Sequence, residues 1–214
     1  AVNYRVVAVL NAQGLAVQLD FLINTKSNRA SYTNGFGIEI ESILPNQIES
    51  VSGNILTENY ITQNPNGTEA NQNKAVIIIF DNPNSMLHNE HKVSVKFNSP
   101  VSTNELGEAP FNPFIIINKI RENEVHLAYA NTTTLAVKST EVSGMNNDQD
   151  GNYISNNGFP WAINIVHDFK VPKENKAINS AYNHFNSWAA SGGLSYKDWY
   201  KDSNGYRNTE NLEN

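Results

Sequence analysis

The sequence predicts a mainly β protein, namely an antiparallel β-sandwich of the jelly-roll or Greek-key kind with one C-terminal helix packed on it. Apolar stretches recur at intervals of roughly ten to fifteen residues, and turn-forming Asn, Gly and Pro residues separate them. A helical spacing of apolar residues appears only in the last quarter of the chain. With 214 residues and no linker-like break, the chain is expected to form a single domain over residues 1–214.

The first half of the chain is predicted to contain four strands. Residues 4–10 and 15–23 flank a short connection that contains Gly14, which is typical of a β-hairpin. In residues 36–40, apolar positions alternate with Gly and Glu, so we expect a strand with one face in water. Residues 75–80 are continuously apolar, and this pattern predicts a strand that is covered on both faces.

Further strands are predicted at residues 93–97, 114–117, 125–129 and, more weakly, 135–137. Val93, Val95 and Phe97 alternate with polar residues, so the first of these strands should be half-buried. Residues 118–123 are polar enough to form a hairpin loop, and the acidic, asparagine-rich residues 139–152 are interpreted as an exposed loop.

The predicted helix lies within a C-terminal helical segment at about residues 176–202. Apolar side chains recur there at spacings of three and four, which places them on one side of an α-helix: Ile178, Ala181, Tyr182, Phe185, Trp188 and Ala189. The helix should end at Gly192 and Gly193, because glycine adopts the left-handed conformation of a C-terminal cap without a Cβ clash. We expect its apolar face to pack over a sheet.

Composition excludes several classes of function. The chain has no cysteine, so disulfides, cysteine-based zinc sites and thiol nucleophiles are excluded. Its net charge is −6 and its fifteen basic residues are scattered, which argues against nucleic acid and anionic membranes as partners. The longest apolar run, residues 75–80, is far shorter than the roughly twenty residues that span a bilayer. Because the chain begins with Ala1, we expect it to be a piece of a longer, processed polypeptide.

Several separated motifs resemble the LruC domain family, which consists of exported bacterial surface proteins whose domain has no assigned biochemical function. The motifs are Ser31-Tyr32-Thr33-Asn34-Gly35-Phe36-Gly37-Ile38, Gly67-Thr68-Glu69-Ala70, Pro110-Phe111-Asn112-Pro113-Phe114-Ile115-Ile116, Glu124-Val125-His126-Leu127, Phe159-Pro160-Trp161-Ala162-Ile163-Asn164-Ile165, Asp168-Phe169-Lys170-Val171-Pro172 and Asp198-Trp199-Tyr200. They cover nearly the whole chain. The resemblance implies a β fold and an extracellular or outer-surface location, with a lipid anchor in a missing N-terminal region as one form of attachment.

Calcium is the one cofactor that a motif suggests. Asn146, Asp148 and Asp150 offer side-chain oxygens at alternate positions, and Gly151 permits a sharp turn. The twelfth position of such a loop is Asn157 rather than the bidentate glutamate of a complete calcium-binding loop. A solvated acidic turn is therefore the alternative interpretation.

The candidate ligand-binding residues are three aromatics beyond the helix, Trp199, Tyr200 and Tyr206. They lie among Lys, Asp, Asn and Gly residues, and flat rings flanked by polar groups suit the faces of sugars. The alternative is that Trp199 and Tyr200 pack against the end of the helix. Both interpretations remain open from the sequence.

No catalytic residues are predicted, because the sequence contains no nucleophile elbow, phosphate-binding glycine loop or His-Glu-x-x-His motif. Carboxylates two residues apart share a strand face, as in Glu39 with Glu41 and Glu122 with Glu124, but solvated faces produce such pairs routinely. We expect a non-enzymatic surface or secreted module that serves adhesion or recognition of a glycan or protein. The alternatives are a carbohydrate-active hydrolase on a β-sandwich scaffold and a structural spacer within a larger surface protein.

Overall fold

The structure is a computed structural model that describes residues 1–28, 31–138, 148, 151–165 and 169–213. It confirms the antiparallel β-sandwich. The strands are β1 (Val2–Leu10), β2 (Ala16–Thr25), β3 (Gly35–Ile40), β4 (Ile48–Ser52), β5 (Ala75–Phe80), β6 (His91–Val101), β7 (Asn112–Ile116) and β8 (Glu124–His126). The short helices are α1 (Thr103–Leu106), α2 (Ile178–Ala181) and α3 (Phe185–Ala190).

The strands form two four-stranded sheets. The first has the order β1-β2-β6-β4 and the second has the order β5-β3-β7-β8. Every neighbouring pair of these strands is antiparallel. The β1–β2 hairpin is confirmed, and its turn is closed by a hydrogen bond from Asn11 N to Leu15 O at 2.9 Å. The main core lies between the sheets and includes Phe21 and Ile23 of the first sheet with Ile38 and Ile77 of the second.

The outer face of the second sheet is also covered, and this corrects the expectation of a wet face on β3. All six residues of β3 are buried, including Glu39. Leu56, Tyr60 and Ile61 come from the connection between β4 and β5 and pack on this outer face. Because this loop covers the outer face of the sheet, β3 is buried on both faces, although its apolar and polar residues alternate as in a half-exposed strand. β5 is buried on both faces, as predicted.

Two strand predictions need correction. β4 lies in a segment for which no strand was predicted. Most of its residues are exposed, and its sequence Ile-Glu-Ser-Val-Ser has only two apolar side chains, too few to indicate a strand. It is an edge strand that pairs only with β6 among the described strands. The weak strand predicted at residues 135–137 is instead a turn and irregular chain, in which Val137 N donates to Glu122 O at 2.9 Å.

The predicted C-terminal helix is interrupted. α2 ends before Tyr182, whose backbone is extended (φ −126°, ψ 106°) and bridges to Arg207. Asn183 N donates to Tyr206 O at 2.9 Å, so contacts with the chain end replace the helical bonds at this point. α3 does end before Gly192 and Gly193, which have φ of 64° and 84°. None of the helices in the described ranges is long and apolar enough to cross a membrane.

The two helices pack mainly in a second apolar cluster rather than over the middle of a sheet. Its buried members are Ala181, Tyr182, Phe185, Trp199 and Leu212. Side chains of the segment 159–165, including Phe159 and Ile163, pack against it, and so does Phe169. This C-terminal aromatic cluster stands beside the sandwich and supplies one wall of the groove described below.

Candidate functional site

A buried polar network lies on the outer face of the second sheet, with Arg121 near its centre. Arg121 is in the loop between β7 and β8, and its side chain is only 11% exposed. Its guanidinium donates to both carboxylate oxygens of Glu69 and to one oxygen of Glu124. The guanidinium carbon lies 5.4 Å from the centre of the Phe114 ring. One arginine thus bridges two carboxylates that are almost completely removed from solvent.

The second half of the network is formed by Glu124 and His126, which share one face of β8. Glu124 accepts hydrogen bonds from Thr133 Oγ1 at 2.6 Å and from Thr133 N at 3.2 Å. His126 Nε2 lies 2.6 Å from Glu124 Oε2. Burial alone raises the pKa of Glu124, but the bond to His126 and the charge of Arg121 outweigh it, and the pKa is lowered.

Asn112 extends the network to β3. Its Nδ2 donates to Glu39 Oε2 at 3.0 Å and to Asn131 O at 2.9 Å, while its Oδ1 lies 2.7 Å from His126 Nδ1. Both ring nitrogens of His126 therefore have a hydrogen-bond partner within the network. Burial raises the pKa of Glu39 to about 6, and the negative charges of Glu41 and Glu124 add to this effect.

This network is suited to holding parts of the chain together. Glu124 is fully buried and its two oxygens have partners on Arg121, His126 and Thr133. Glu69 is engaged by Arg121 and by Gln72 Nε2, the latter at 2.7 Å. The contacts join β3, β7, β8 and the loops before and after them. Satisfied buried networks of this kind specify one arrangement of the chain.

A separate apolar groove opens where β1 ends the first sheet. The ring of Tyr4 in β1 lies against Phe36 of β3, with centroids 6.1 Å apart. Beyond this contact, Ile115 of β7 and Val125 of β8 continue the floor, and the segment 159–165 forms the opposite wall. The cavity volume is about 1140 Å³. None of the network carboxylates Glu39, Glu69 and Glu124 lines this groove.

The three predicted ligand-binding aromatics occupy different environments. Trp199 is 1% exposed and packs edge-on against Tyr182 and Phe185, with ring centroids 5.1 and 4.9 Å away. This position agrees with the packing interpretation and leaves no ring face open to a sugar. Tyr200 is half-buried next to Trp199.

Tyr206 is half-buried in a small group with His184 and the exposed Tyr196. His184 and Tyr196 are stacked, with ring centroids 4.1 Å apart and planes 4° apart, and Tyr206 contacts His184 edge-on at 4.5 Å. Tyr196 is 45% exposed. Of the three predicted aromatics, Tyr206 is therefore the one that belongs to a surface-accessible aromatic group, which we call the tyrosine patch (His184, Tyr196 and Tyr206).

The predicted calcium loop falls largely outside the described residues, because Asn146 and Asp150 lie there. Asp148 is described and buried, and its carboxylate accepts hydrogen bonds from Asn152 N at 3.1 Å and Tyr153 N at 2.6 Å. Within the described ranges, no group of three or more His, Asp or Glu side chains is placed to hold a metal. The calcium prediction remains a prediction.

Sequence reasoning missed the buried network. In each carboxylate pair considered from the sequence, one member is buried and the other is exposed. Glu39 and Glu124 are buried, whereas Glu41 and Glu122 are exposed. His126 carried no predicted role. The sequence did contain a signal, because the polar Glu124 and His126 alternate with the apolar Val125 and Leu127. Such alternation predicts a strand with one polar face. That face can contact other protein groups instead of water. Glu69 and Arg121 are 52 residues apart, so no local pattern joins them.

The fold and the site define a class of protein: a mainly β sandwich domain with an ionic network buried under one sheet and an open apolar groove beside the other. The chain belongs to a family described as a domain of unknown function, DUF4842, which matches residues 14–200. No curated protein and no solved structure matches the chain.

Proposed function

We propose that the chain is a non-enzymatic recognition module of an exported bacterial surface protein and that it binds an extracellular glycan or protein in the groove. The observation that carries this proposal is the groove itself. Its volume of about 1140 Å³ and its lining by Phe36, Trp161, Phe185 and other apolar side chains suit a binding site. Apolar surface that is concave and open to ligands is uncommon on a folded domain without a binding role.

The surface location rests on the motifs that resemble the LruC domain family, such as Glu124-Val125-His126-Leu127. A protease added to intact cells that produce the full-length protein should remove this domain while a cytoplasmic marker protein survives. Protection of the domain until the cells are lysed would contradict the location.

The groove favours recognition over hydrolysis. A glycoside hydrolase needs two carboxyl groups about 5–10 Å apart on either side of a substrate. The pKa of Glu39 is raised and that of Glu124 is lowered, which is a pattern that acid and base pairs also show. However, both carboxylates are buried and bonded to protein groups, and neither lines the groove. Release of reducing sugar from a glycan panel, lost in the variant Glu124→Gln, would favour the hydrolase alternative.

The first experiment is a binding screen of the 214-residue chain against a glycan array and a panel of extracellular matrix proteins. The variant Leu127→Gln places a polar group in the groove, whereas Leu194→Gln changes a residue that is 77% exposed and lies outside it. Saturable binding that is weakened only by Leu127→Gln supports the proposal. Binding that both variants retain would place the ligand elsewhere, and absence of any ligand would favour the spacer.

The same screen is run with calcium and again with a chelator, because calcium is the cofactor that the sequence suggests. Loss of binding with the chelator would support Asp148, together with Asn146 and Asp150, as calcium ligands. Unchanged binding would remove calcium from the proposal.

A second candidate function is glycan binding at the tyrosine patch. The parallel stack of Tyr196 on His184 and the exposure of Tyr196 favour it, because an exposed aromatic face can pack against the C–H face of a sugar ring. The double variant Tyr196→Ala with Tyr206→Ala should then abolish binding to an array glycan. Retention of glycan binding in this variant, together with its loss in Leu127→Gln, would assign the glycan to the groove.

A further inference from the structure

We infer that the occupant of the groove is an extended peptide segment of a partner protein, added to the first sheet as a strand along the free edge of β1. This inference rests on the proposed function, because it takes the groove as the recognition site and specifies what the groove recognises. Three features of the structure carry it: the edge of β1, the floor of the groove and the charge of its lining.

The edge of β1 has backbone groups available for pairing. β1 is nine residues long and pairs with β2 along its whole length on one side. It is the terminal strand of its sheet, and within the described ranges no backbone hydrogen bond joins its other side to the rest of the chain. Proteins usually block such an edge with proline, charged residues or bulges. β1 contains no proline, Arg5 is its one charged side chain, and its register shifts only near its end, between Val9 and Leu10.

The floor of the groove is formed by the second sheet, in which Ile115 is half-buried and Phe36 and Val125 are buried. Phe36, Ile115 and Val125 lie side by side in register across β3, β7 and β8, and all three line the groove. In the first sheet β1 is the last strand over this floor. A strand added beside β1 would lie above Ile115 and Val125, and every second side chain would point onto the floor.

The dimensions and the lining favour a peptide strand over other occupants. The cavity volume of about 1140 Å³ exceeds the roughly 300–1,000 Å³ that is typical of small-molecule sites. Among the residues that the structure describes, the lining contains no Asp or Glu, and Lys26 is its one charged side chain. A mainly apolar face on the occupant is therefore complementary. The free N–H and C=O groups of β1 can form hydrogen bonds with another extended backbone. These main-chain hydrogen bonds provide the affinity in strand addition.

A second copy of this chain fits the edge less well. The wall segment 159–165 stands beside the first half of β1, where Tyr4 Oη donates to Asn164 Oδ1 at 2.9 Å. Two folded copies placed edge to edge would bring both walls into the same space. A single extended segment brings no second wall, and its entry between β1 and the wall displaces the hydrogen bond between Tyr4 and Asn164.

The test is selection from a displayed library of nine-residue peptides in which apolar and polar residues alternate. A control library has the same composition with its apolar residues grouped in blocks. We expect the alternating library alone to yield peptides that bind saturably. Leu127→Gln should weaken the binding of a selected peptide at least tenfold, and Leu194→Gln should leave it unchanged. Circular dichroism of both variants checks that they fold.

Backbone methylation of the selected peptide tests strand pairing without altering the protein. In a strand added to an edge, alternate N–H groups point to β1, so N-methylation at every second residue in one frame should reduce affinity roughly tenfold or more. The same number of methyl groups in the other frame should have little effect. Equal effects in both frames would overturn strand addition.

The outcomes separate this inference from the proposed function. If peptides bind but methylation in the two frames has the same effect, the groove remains a recognition site and the strand is excluded. If the libraries give no binder while a glycan binds and Leu127→Gln weakens it, the proposed function stands and the peptide is excluded. If neither screen gives a ligand, both proposals fail. A dimer that is seen by analytical ultracentrifugation and dissociates with Leu127→Gln would replace the peptide by a second copy.

Discussion

Tyr4 and Asn164 are joined by a hydrogen bond of 2.9 Å from the tyrosine hydroxyl to the amide oxygen, although they are 160 residues apart. The bond connects β1 to the wall segment 159–165 and so spans the two sides of the groove. Burial of the phenol raises its pKa from 10 to about 12, so the hydroxyl keeps its proton over a wider range of alkaline pH. The bond is one of the contacts that hold the C-terminal part of the chain against the sandwich, together with the ring contact between His126 and Tyr153 at 5.2 Å.

Tyr4→Phe should lower the free energy of unfolding by about 0.5–1.5 kcal/mol, because it removes this one hydrogen bond and leaves the ring in place. Urea unfolding followed by tryptophan fluorescence measures the change. Tyr32→Phe is the matched control, since Tyr32 is 57% exposed, and it should change stability by less than about 0.5 kcal/mol. Equal stabilities of the two variants would show that the Tyr4 bond contributes nothing.

Arg121→Met should lower the free energy of unfolding by about 3–5 kcal/mol, because it leaves the carboxylates of Glu69 and Glu124 buried without their cation. The control is Lys96→Met, which breaks a pair with Glu49 in which both side chains are about half exposed. This control should cost less than about 1 kcal/mol. Urea midpoints compare the two variants, and a small loss for Arg121→Met would contradict a structural role for the network.

Glu39→Gln tests the raised pKa of Glu39. The folded-state value is about 6 and the ordinary value is 4.5, so Glu39 favours folding below pH 4.5 and loses this contribution as the pH rises through 6. Glutamine stays neutral and can still accept a hydrogen bond from Asn112. The variant should therefore match the wild type near pH 4.5 and exceed it at pH 7–8 by up to about 2 kcal/mol.

The measurement for Glu39→Gln is chemical unfolding at pH 4.5, 6 and 8. The charged groups that act on Glu39 are Glu41, Glu124 and Lys74, and the substitution leaves all of them in place. The difference between variant and wild type thus isolates the titration of Glu39. A difference that does not change with pH would refute the assigned shift.

Trp199→Ala should lower the free energy of unfolding by about 3–5 kcal/mol, because the ring is buried among Tyr182, Phe185 and Trp188. Leu194→Ala is the surface control, and its effect should stay within about 0.5 kcal/mol. Thermal unfolding followed by circular dichroism measures both. If Trp199→Ala retained wild-type stability but lost ligand binding, Trp199 would be a binding residue and not a core residue.

Local patterns in the sequence predicted most strands correctly. The half-buried strand around Val93, Val95 and Phe97 and the doubly covered strand β5 both follow from the period of their apolar residues, because side chains alternate along a strand. The same logic was incomplete for Glu39. A glutamate in an alternating strand usually faces water, and only the loop that carries Leu56 and Tyr60 removes the water from this one.

The C-terminal helix was predicted from the spacing of its apolar residues, but tertiary contacts interrupt it. The spacing of Ile178, Tyr182 and Phe185 is helical, and both short helices occur within the predicted range. Yet Tyr182 and Asn183 leave the helix to bond with residues 206 and 207 at the chain end. Helix propensity is a small preference per residue, so a few tertiary contacts are enough to override it.

The sequence by itself determined the fold class, the positions of most strands and the stop at Gly192, since these depend on periodicity and on the conformational freedom of glycine. The tertiary structure alone decided the order of the strands, the burial of Glu39 and Glu124, the packing of Trp199 and the existence of the groove. Each of these depends on contacts between residues that are far apart in the chain. Side-chain alternation shows that a strand has two faces, but the rest of the fold determines what covers each face.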